Sequence, residues 1–240
     1  MITGIVVALP DEISSLTSKK VSKGDCIFIN DRTLLTCSGA GSENAAKASQ
    51  LLIKKGAKRL ISWGCAAALK ADLKPGDLVL PKTLNTEKQE TISIDSSWLD
   101  HTLDQLSALI PLTGLLAESH FIVADSLDKQ TIHNQSGAIA LDMESIAIAQ
   151  TAILHNYPAL VIRSIADPVT MSLPKAVSYA LNEQGDVILT KLLWFLLTHP
   201  NELPGLIKLG LHFKTAKNKL KSVSKHLDTI VGFEQKTVTK

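Results

Sequence analysis

The stretch GIVVALPDE, residues 4–12, joins a continuous apolar, β-branched run to two acidic residues directly behind it. An uninterrupted run of this kind is typical of a strand buried on both faces, as in parallel sheets covered by helices. We therefore expect a central strand at 4–9, with Asp11 and Glu12 at its carboxyl end.

Further along the chain, strand-like and helix-like segments alternate. The runs RLISWG (59–64) and PALVIRSIAD (158–167) are apolar like the first strand, and a helix is expected from Ser42 to a stop at Gly56. Alternation of this kind predicts an α/β fold: a single three-layer domain with a mixed, mostly parallel sheet flanked by helices. The other predicted strands are two segments joined at Asn30–Asp31, 78–80, 121–125 and 137–143, and the other predicted helices are 98–110, 145–156 and 174–197.

Composition excludes several classes of protein. The chain has 240 residues, and 45 % of them are hydrophobic, which is ample for a buried core. Aromatic residues make up 4 % and the net charge is +2, which argues against a nucleic-acid partner. Three cysteines form no disulfide framework, and the start MITGIVVALP reads as a strand rather than a signal peptide, so we expect a cytoplasmic protein. Histidine and cysteine spacings predict no metal site.

The segment after about residue 198 has a different composition. From Lys208 to Lys240 there are eight lysines against Asp228 and Glu234. Apolar residues recur in this segment at helical spacing, which predicts a basic amphipathic helix. We divide the chain into residues 1–198 and a basic C-terminal tail, 199–240. The tail would either rest on an anionic membrane or pack on the body or a partner subunit. The apolar residues are Leu206, Leu209, Phe213, Ala216 and Leu220.

Acids and small residues collect where the predicted strands end. Ligands of parallel α/β sheets bind beyond these carboxyl ends, so the collection predicts a binding site. Taken singly, each residue has an ordinary explanation: Glu12 and Glu144 as acids at helix starts, Asp167 as a helix cap. The strand ends in question are Leu9–Glu12, Ser38–Ser42, Gly64–Ala68, Asp142–Glu144 and Ala166–Pro168.

The glycine pair around Ala40 precedes a predicted helix. Gly39 and Gly41 could expose backbone N–H groups to an anion, or could simply allow a tight turn. Asn44 stands where a dinucleotide-binding fingerprint has its third glycine, so NAD is not expected. The loop therefore predicts either an anion or nucleoside site or a turn.

Five motifs in one order resemble the nucleoside phosphorylase/nucleosidase superfamily. Within it the chain is similar to methylthioadenosine/S-adenosylhomocysteine nucleosidases, and most of all to hopanoid-associated phosphorylases, whose proposed substrate is adenosylhopane. The resemblance covers about residues 1–198, which it implies to be a catalytic domain. It implies cleavage of the N-ribosidic bond of a 5′-substituted adenosine, no cofactor, and a homo-oligomer. The motifs are GIVVALPDE, CSGAGSENAA, SWGCAAALKADLKPGDLVLP, ALDMES and VIRSIADP.

The resemblance also implies roles for single residues. Glu12 matches the acid that activates the attacking water, and Asp167 matches the acid that serves N7 of the leaving purine. Met143 and Glu144 match the pair that lines the ribose, with the carboxylate accepting from the sugar hydroxyls. Asp142 would either cap the next helix or face the base.

The remaining site residues follow from the same resemblance. Gly39 and Ala40 belong to the glycine loop. Cys65 and Ala66 match a loop beside the sugar and base, where the family usually carries serine and alanine. Leu127 falls about where the family has an aromatic side chain on the base.

The nucleophile is either water or phosphate. Phosphate sites normally use arginines, and the chain has only Arg32, Arg59 and Arg163. Glu12 at the water-activating position favours hydrolysis, whereas the glycine loop and the naming of the hopanoid branch leave phosphate as a co-substrate. The alternatives are a purine nucleoside phosphorylase of salvage and a non-catalytic nucleoside-binding or membrane-interaction module.

Overall fold

A computed structural model describes residues 1–88, 90–180 and 189–234. The strands are β1 Ile2–Val7, β2 Cys26–Asn30, β3 Thr33–Cys37, β4 Ala57–Ala68, β5 Leu78–Val79, β6 Thr83–Asn85, β7 Thr91–Ser93, β8 Leu115–Glu118, β9 Ala140–Asp142 and β10 Ala159–Asp167. The helices are α1 Pro10–Ile13, α2 Ser42–Lys54, α3 Ser96–Gln105, α4 Ser126–Ser136, α5 Ser145–Leu154, α6 Lys175–Ala180, α7 Leu189–Thr198, α8 Leu203–Ser224 and α9 Leu227–Val231.

The strands form one mixed sheet centred on β4. Strands β3, β1, β4 and β10 lie side by side and parallel, with Val7 opposite both Cys37 and Trp63, and Trp63 opposite Ile162. Strand β2 is antiparallel to β3, and the end of β4 pairs antiparallel with β9, which leads on to β8, β6 and β7. This confirms the predicted mixed, mostly parallel sheet.

Helices cover the sheet because its central strands are apolar on both faces. Successive residues of a strand point to opposite faces. On β4, the hydroxyl of Ser62 contacts that of Ser145 on α5, whereas Arg59 donates to the carbonyl oxygen of Val231 on α9. Helix α5, with α2 packed against it, therefore lies on one face of the sheet, and α9 lies on the other.

The predicted strand at 121–125 is wrong. The strand in this region is β8, Leu115–Glu118, and the residues after it form a loop. The Ser119 hydroxyl donates to the carbonyl oxygen of Phe121, and the Phe121 N–H donates back to the same hydroxyl. This local turn satisfies backbone groups that a strand would pair with its neighbour, so the apolar run leaves the sheet.

Two further predictions change in extent. The strand predicted at 137–143 is confined to β9, Ala140–Asp142. The helix predicted at 174–197 corresponds to α6 and α7, and residues 181–188 lie outside the described part of the chain.

The predicted tail helix exists as α8, Leu203–Ser224. In its second half Ala216, Leu220 and Val223 are buried, and the last two belong to the main core. The helix packs on β10 and β4. Its first half keeps an apolar face exposed. The domain boundary at residue 198 stays a prediction. Within the described ranges, no helix combines the length and apolarity needed to cross a bilayer.

Candidate active site

The carboxyl ends of β1 and β4 bring Glu12 and Cys65 together. Glu12 lies in α1, directly behind β1, and its side chain is buried. Its Oε1 accepts a hydrogen bond from the Cys65 N–H (2.7 Å), and its Oε2 accepts one from the Leu9 N–H (3.1 Å). Glu12 is therefore held at the end of the central strands by two backbone donors.

Glu144 reaches the same region from the β9–α5 junction. Its Oε1 accepts a hydrogen bond from the Gly41 N–H at 2.9 Å, and the Gly39 N–H donates to Ala8 O at 3.1 Å. The two glycines have φ of +81° and +92°, a conformation that favours glycine and turns their N–H groups to these partners. The loop that contains Ala40 therefore lies beside Glu144, and both of these N–H groups are already bonded within the chain.

Arg163 of β10 lies buried beneath these carboxylates. Its Nε donates to Asp142 Oδ2 at 2.6 Å, and its Nη2 donates to Ser62 Oγ at 2.6 Å and to Ser145 Oγ at 3.1 Å. The same Nη2 is 3.9 Å from Glu144 Oε2. Asp142 also caps α5, accepting from the Ser145 N–H at 3.2 Å. Asp142 is therefore bonded to both the start of α5 and Arg163, and whether it also faces the base stays a prediction.

Gly64 allows Arg163 and Glu12 to approach each other. A Cβ at this position would lie 2.4 Å from Arg163 Nη1 and 2.8 Å from Glu12 Oε1. Any side chain here would therefore push the guanidinium or the carboxylate aside. Gly64 was predicted to lie at a strand end, but its close approach to Arg163 and Glu12 was not predicted.

The buried carboxylates have shifted protonation equilibria. Burial and the neighbouring charge of Asp142 raise the pKa of Glu144 to about 7, against the opposing effect of Arg163. Burial also raises the pKa of Glu12, and Arg163 again opposes the shift. Burial and the nearby Glu12 raise the pKa of the Cys65 thiol well above its ordinary value, so Cys65 is not a thiolate nucleophile.

Asp167 ends β10, opposite Ala67 of β4 and thus just beyond Cys65. Its side chain is 13 % exposed, and both carboxylate oxygens lie 2.7 Å from Nζ of Lys129 on α4. The Lys129 side chain is 0 % exposed, and its Nζ also donates to Met171 O at 2.9 Å. Burial raises the pKa of Asp167, while the ammonium opposes that rise.

Three predicted site residues and one aromatic residue that was not predicted lie on neighbouring segments. Met143 is half-buried between Asp142 and Glu144, and Ala66 is buried on β4. Leu127 lies in the first turn of α4 and is 70 % exposed. Phe121, in the loop after β8, is 78 % exposed, and β8 ends beside Asp142 of β9. An exposed aromatic at this edge of the sheet is suited to stack on a base.

Two clefts lie outside this cluster. One, of about 330 Å³, is near the start of β4 and is lined by Met1, Arg59, Trp98, Tyr157 and Phe233 among others. The other, of about 490 Å³, lies against α4 and includes Leu69, Gln130, His133 and Val169. Neither lining includes Glu12, Glu144 or Asp167, so the acidic cluster is recognised by its chemistry and not by cavity size. In the part of the chain that is described, no cluster of three or more His, Cys, Asp or Glu side chains could hold a metal ion.

The buried arginine and its three acidic neighbours lie at the carboxyl edge of an α/β sheet, which is where such sheets bind their ligands. The chain belongs to the phosphorylase superfamily, whose family model matches residues 3–192. This confirms the family expected from the five motifs.

Two nucleosidases are similar to this chain in sequence. The chain is similar to a 5′-methylthioadenosine/S-adenosylhomocysteine nucleosidase of Buchnera aphidicola, with 27 % identity over 209 residues, 75 % of this chain and 83 % of that protein. The Staphylococcus aureus nucleosidase of the same name is 28 % identical over 196 residues, 68 % of this chain and 85 % of that protein.

Solved structures share the fold. The Neisseria meningitidis nucleosidase in complex with methylthio-immucillin-A superposes with a TM-score of 0.70 at 19 % identity, covering 96 % of this chain and 98 % of that chain. Futalosine hydrolase of Helicobacter pylori reaches 0.68 at 16 % identity, covering 96 % and 97 %. These likenesses confirm the nucleoside phosphorylase-like architecture.

Proposed function

We propose that this chain is a nucleosidase that hydrolyses the N-ribosidic bond of a 5′-substituted adenosine and releases adenine. The observation that carries the proposal is the convergence of Glu12, Glu144 and Arg163 beside Cys65, with Asp167 at the end of the adjacent strand. The names of the relatives supply the substrate class, 5′-methylthioadenosine and S-adenosylhomocysteine.

The chemistry sets three demands. The bond breaks through a transition state with positive charge on the sugar and negative charge on the base. Glu144 accepts from ribose hydroxyls and places its negative charge near the developing cation. Asp167 passes a proton to N7 of the purine, which is otherwise a poor leaving group. Glu12 takes a proton from the attacking water.

The charges around the nucleophile position support water over phosphate. Glu12, Asp142 and Glu144 are three buried acids around the single guanidinium of Arg163. The arginine already donates to Asp142, and two N–H groups of the glycine loop are bonded to Ala8 and Glu144. Once Glu144 is ionised, a phosphate dianion would therefore meet net negative charge and few open donors, whereas neutral water would not be repelled.

Adenine release tests the proposal. We expect wild-type protein to release adenine from 5′-methylthioadenosine in phosphate-free buffer, with no acceleration on adding phosphate. Phosphate-dependent turnover of plain inosine would instead support a salvage phosphorylase. Binding of the nucleoside without turnover would support a non-catalytic module.

The raised pKa of Glu144 predicts how kcat/KM depends on pH. Its pKa is raised from 4.5 to about 7, and it must be ionised to accept from the sugar hydroxyls. We therefore expect kcat/KM to fall as the pH drops below about 7 and to be steady just above it. Initial rates of adenine release across a pH series measure this. Constant kcat/KM down to about pH 5, where ordinary carboxyls are still ionised, would contradict it.

We further propose adenosylhopane as the physiological substrate. The resemblance to hopanoid-associated phosphorylases supports this choice. Competition between adenosylhopane and 5′-methylthioadenosine tests it, and we expect the higher kcat/KM for the lipid-linked nucleoside. A lower kcat/KM for adenosylhopane would reject the assignment while leaving the nucleosidase proposal in place.

A lipid-linked substrate leads us to propose peripheral contact with the inner face of the membrane from the cytoplasm. The apolar surface of α7 and α8 supports this contact: it comprises Trp194, Leu197, Leu203, Ile207 and Leu211, all of them exposed. Lysines accompany it along α8, at positions 208, 214, 217, 219 and 221. Aromatic and aliphatic side chains flanked by lysines are typical of helices that lie on anionic bilayers.

Vesicle binding tests this surface. We expect sedimentation with vesicles that contain anionic lipid, weakened by salt because each lysine contributes about 1 kcal/mol through screened attraction. The double variant I207E/L211E should lose the binding. Leu154→Glu is the matched control, since Leu154 is also exposed but lies on α5. Equal binding by all three proteins would reject the membrane proposal.

We also propose a homo-oligomer, as the family resemblance implies. The exposed apolar side chains of Phe121, Ile122 and Leu127, beside the candidate site, support a subunit contact there. Light scattering at micromolar concentration measures the assembly, and a monomer would reject this part of the proposal.

A further inference from the structure

Lys129 is a buried lysine for which neither the family resemblance nor the proposed function gives a role. It lies on α4 in the polar stretch Ser126–Ser136, yet its side chain is 0 % exposed. Its ammonium has three N–H donors, and three acceptors surround it: both carboxylate oxygens of Asp167 and the carbonyl oxygen of Met171. The ammonium thus holds one particular carboxylate in place.

Among the residues that the structure describes, Lys129 is the charged group that acts on the pKa of Asp167. The neighbouring contacts between α4 and the loop after β10 are made by neutral groups, with the Ser126 hydroxyl donating to Val169 O and the Ser126 N–H donating to Ser172 Oγ. A buried ion pair of this kind is a weak source of stability, because the desolvation of both ions offsets their attraction. A structural role alone therefore explains it poorly.

We propose that Lys129 is a positioning residue that holds Asp167 toward the purine and supplies the proton that Asp167 passes to N7. The inference rests on the proposed function, because it assumes that Asp167 faces a leaving purine. The acid that protonates N7 would then be the Lys129–Asp167 pair and not the Asp167 carboxyl by itself.

The proton balance is as follows. As the C1′–N9 bond breaks, its electron pair moves onto the purine. A proton passes from Lys129 Nζ to Asp167, and the carboxyl of Asp167 gives a proton to N7. The purine leaves neutral, Lys129 is left as an amine, and Asp167 is again ionised. Glu12 later releases to solvent the proton that it took from water. Lys129 takes up one proton from solvent, so the whole cycle neither gains nor loses a proton.

Replacing Lys129 by methionine separates this role from packing. Methionine fills similar volume but carries no proton, so the Asp167 carboxyl alone must hold one. We expect Lys129→Met to lower kcat for adenine release by about 10²-fold or more on the alkaline side. We also expect the alkaline decline in kcat to begin at lower pH than in wild type, because the variant has no ammonium beside Asp167 to supply the proton.

A second leaving group provides the internal comparison. A 4-nitrophenyl riboside with the same 5-methylthio substituent releases nitrophenolate, a stable anion that needs no proton. Lys129→Met should therefore impair adenine release far more than nitrophenolate release. Equal losses with both leaving groups, or no loss with either, would overturn the inference.

Two further variants complete the test. Lys129→Arg keeps a cation beside Asp167, but a guanidinium does not release its proton, so adenine release should stay low. Full activity of Lys129→Arg would overturn the proton-supplying role. Lys70→Met removes a lysine from an exposed pair with Asp72 and should match wild type. If wild type itself released no adenine, the proposed function would fail first, and the inference with it.

Discussion

Replacing Asp167 by asparagine is expected to lower kcat for adenine release by about 10²–10⁴-fold. The amide can still donate a hydrogen bond to N7, but it has no proton to transfer, and the ammonium of Lys129 loses the carboxylate that lies 2.7 Å away. Steady-state adenine release from 5′-methylthioadenosine measures the effect.

Stability must be measured alongside activity. Breaking a buried ion pair by removing one partner destabilises a protein by about 3–5 kcal/mol, so Asp167→Asn should also lower the Tm. Assays are therefore run well below the unfolding transition of the variant. Asp128→Asn is the matched control, because Asp128 is exposed on the same helix as Lys129. Undiminished adenine release by folded Asp167→Asn would remove Asp167 from the mechanism.

The second large effect is expected at Glu12. Glutamine fills the same space and can still accept from the Cys65 N–H, but it is no longer a base for water. We expect Glu12→Gln to lower kcat by about 10²–10⁴-fold with little change in KM, because the nucleoside contacts remain. Asp11→Asn, one residue away and exposed, should leave kcat unchanged. Wild-type turnover by Glu12→Gln would mean that another group activates the nucleophile.

The central strands could be predicted because their sequences are apolar without interruption. The sequence predicts both β1 and β10 as buried strands. Glu12 and Asp167 were identified as site candidates because they stand at the carboxyl ends of these strands. The run FIVAD carries a similar apolar signal but forms a loop, since the Ser119 hydroxyl bonds Phe121 in a turn. A local sequence pattern does not reveal such a competing hydrogen bond. Because the run was assigned to a strand, Phe121 was not predicted to be exposed beside the sheet.

The partners of the buried acids could not be predicted from local pattern. Arg163 and Asp142 are 21 residues apart in sequence, and Lys129 and Asp167 are 38 apart. Lysine in a polar helix is normally exposed, so nothing in the stretch around Lys129 indicates burial. The burial of Lys129 and its ion pair with Asp167 are seen only in the structure.

Hydrolysis of a 5′-substituted adenosine transfers the oxygen of water to the sugar product. Labelled water therefore shows whether the protein is a hydrolase. 5′-Methylthioadenosine is incubated with wild-type protein in ¹⁸O-labelled water that also contains phosphate, and the sugar product is analysed by mass spectrometry. We expect free adenine and 5-methylthioribose that carries one ¹⁸O at C1. Formation of 5-methylthioribose 1-phosphate, or intact nucleoside after prolonged incubation with folded protein, would contradict it.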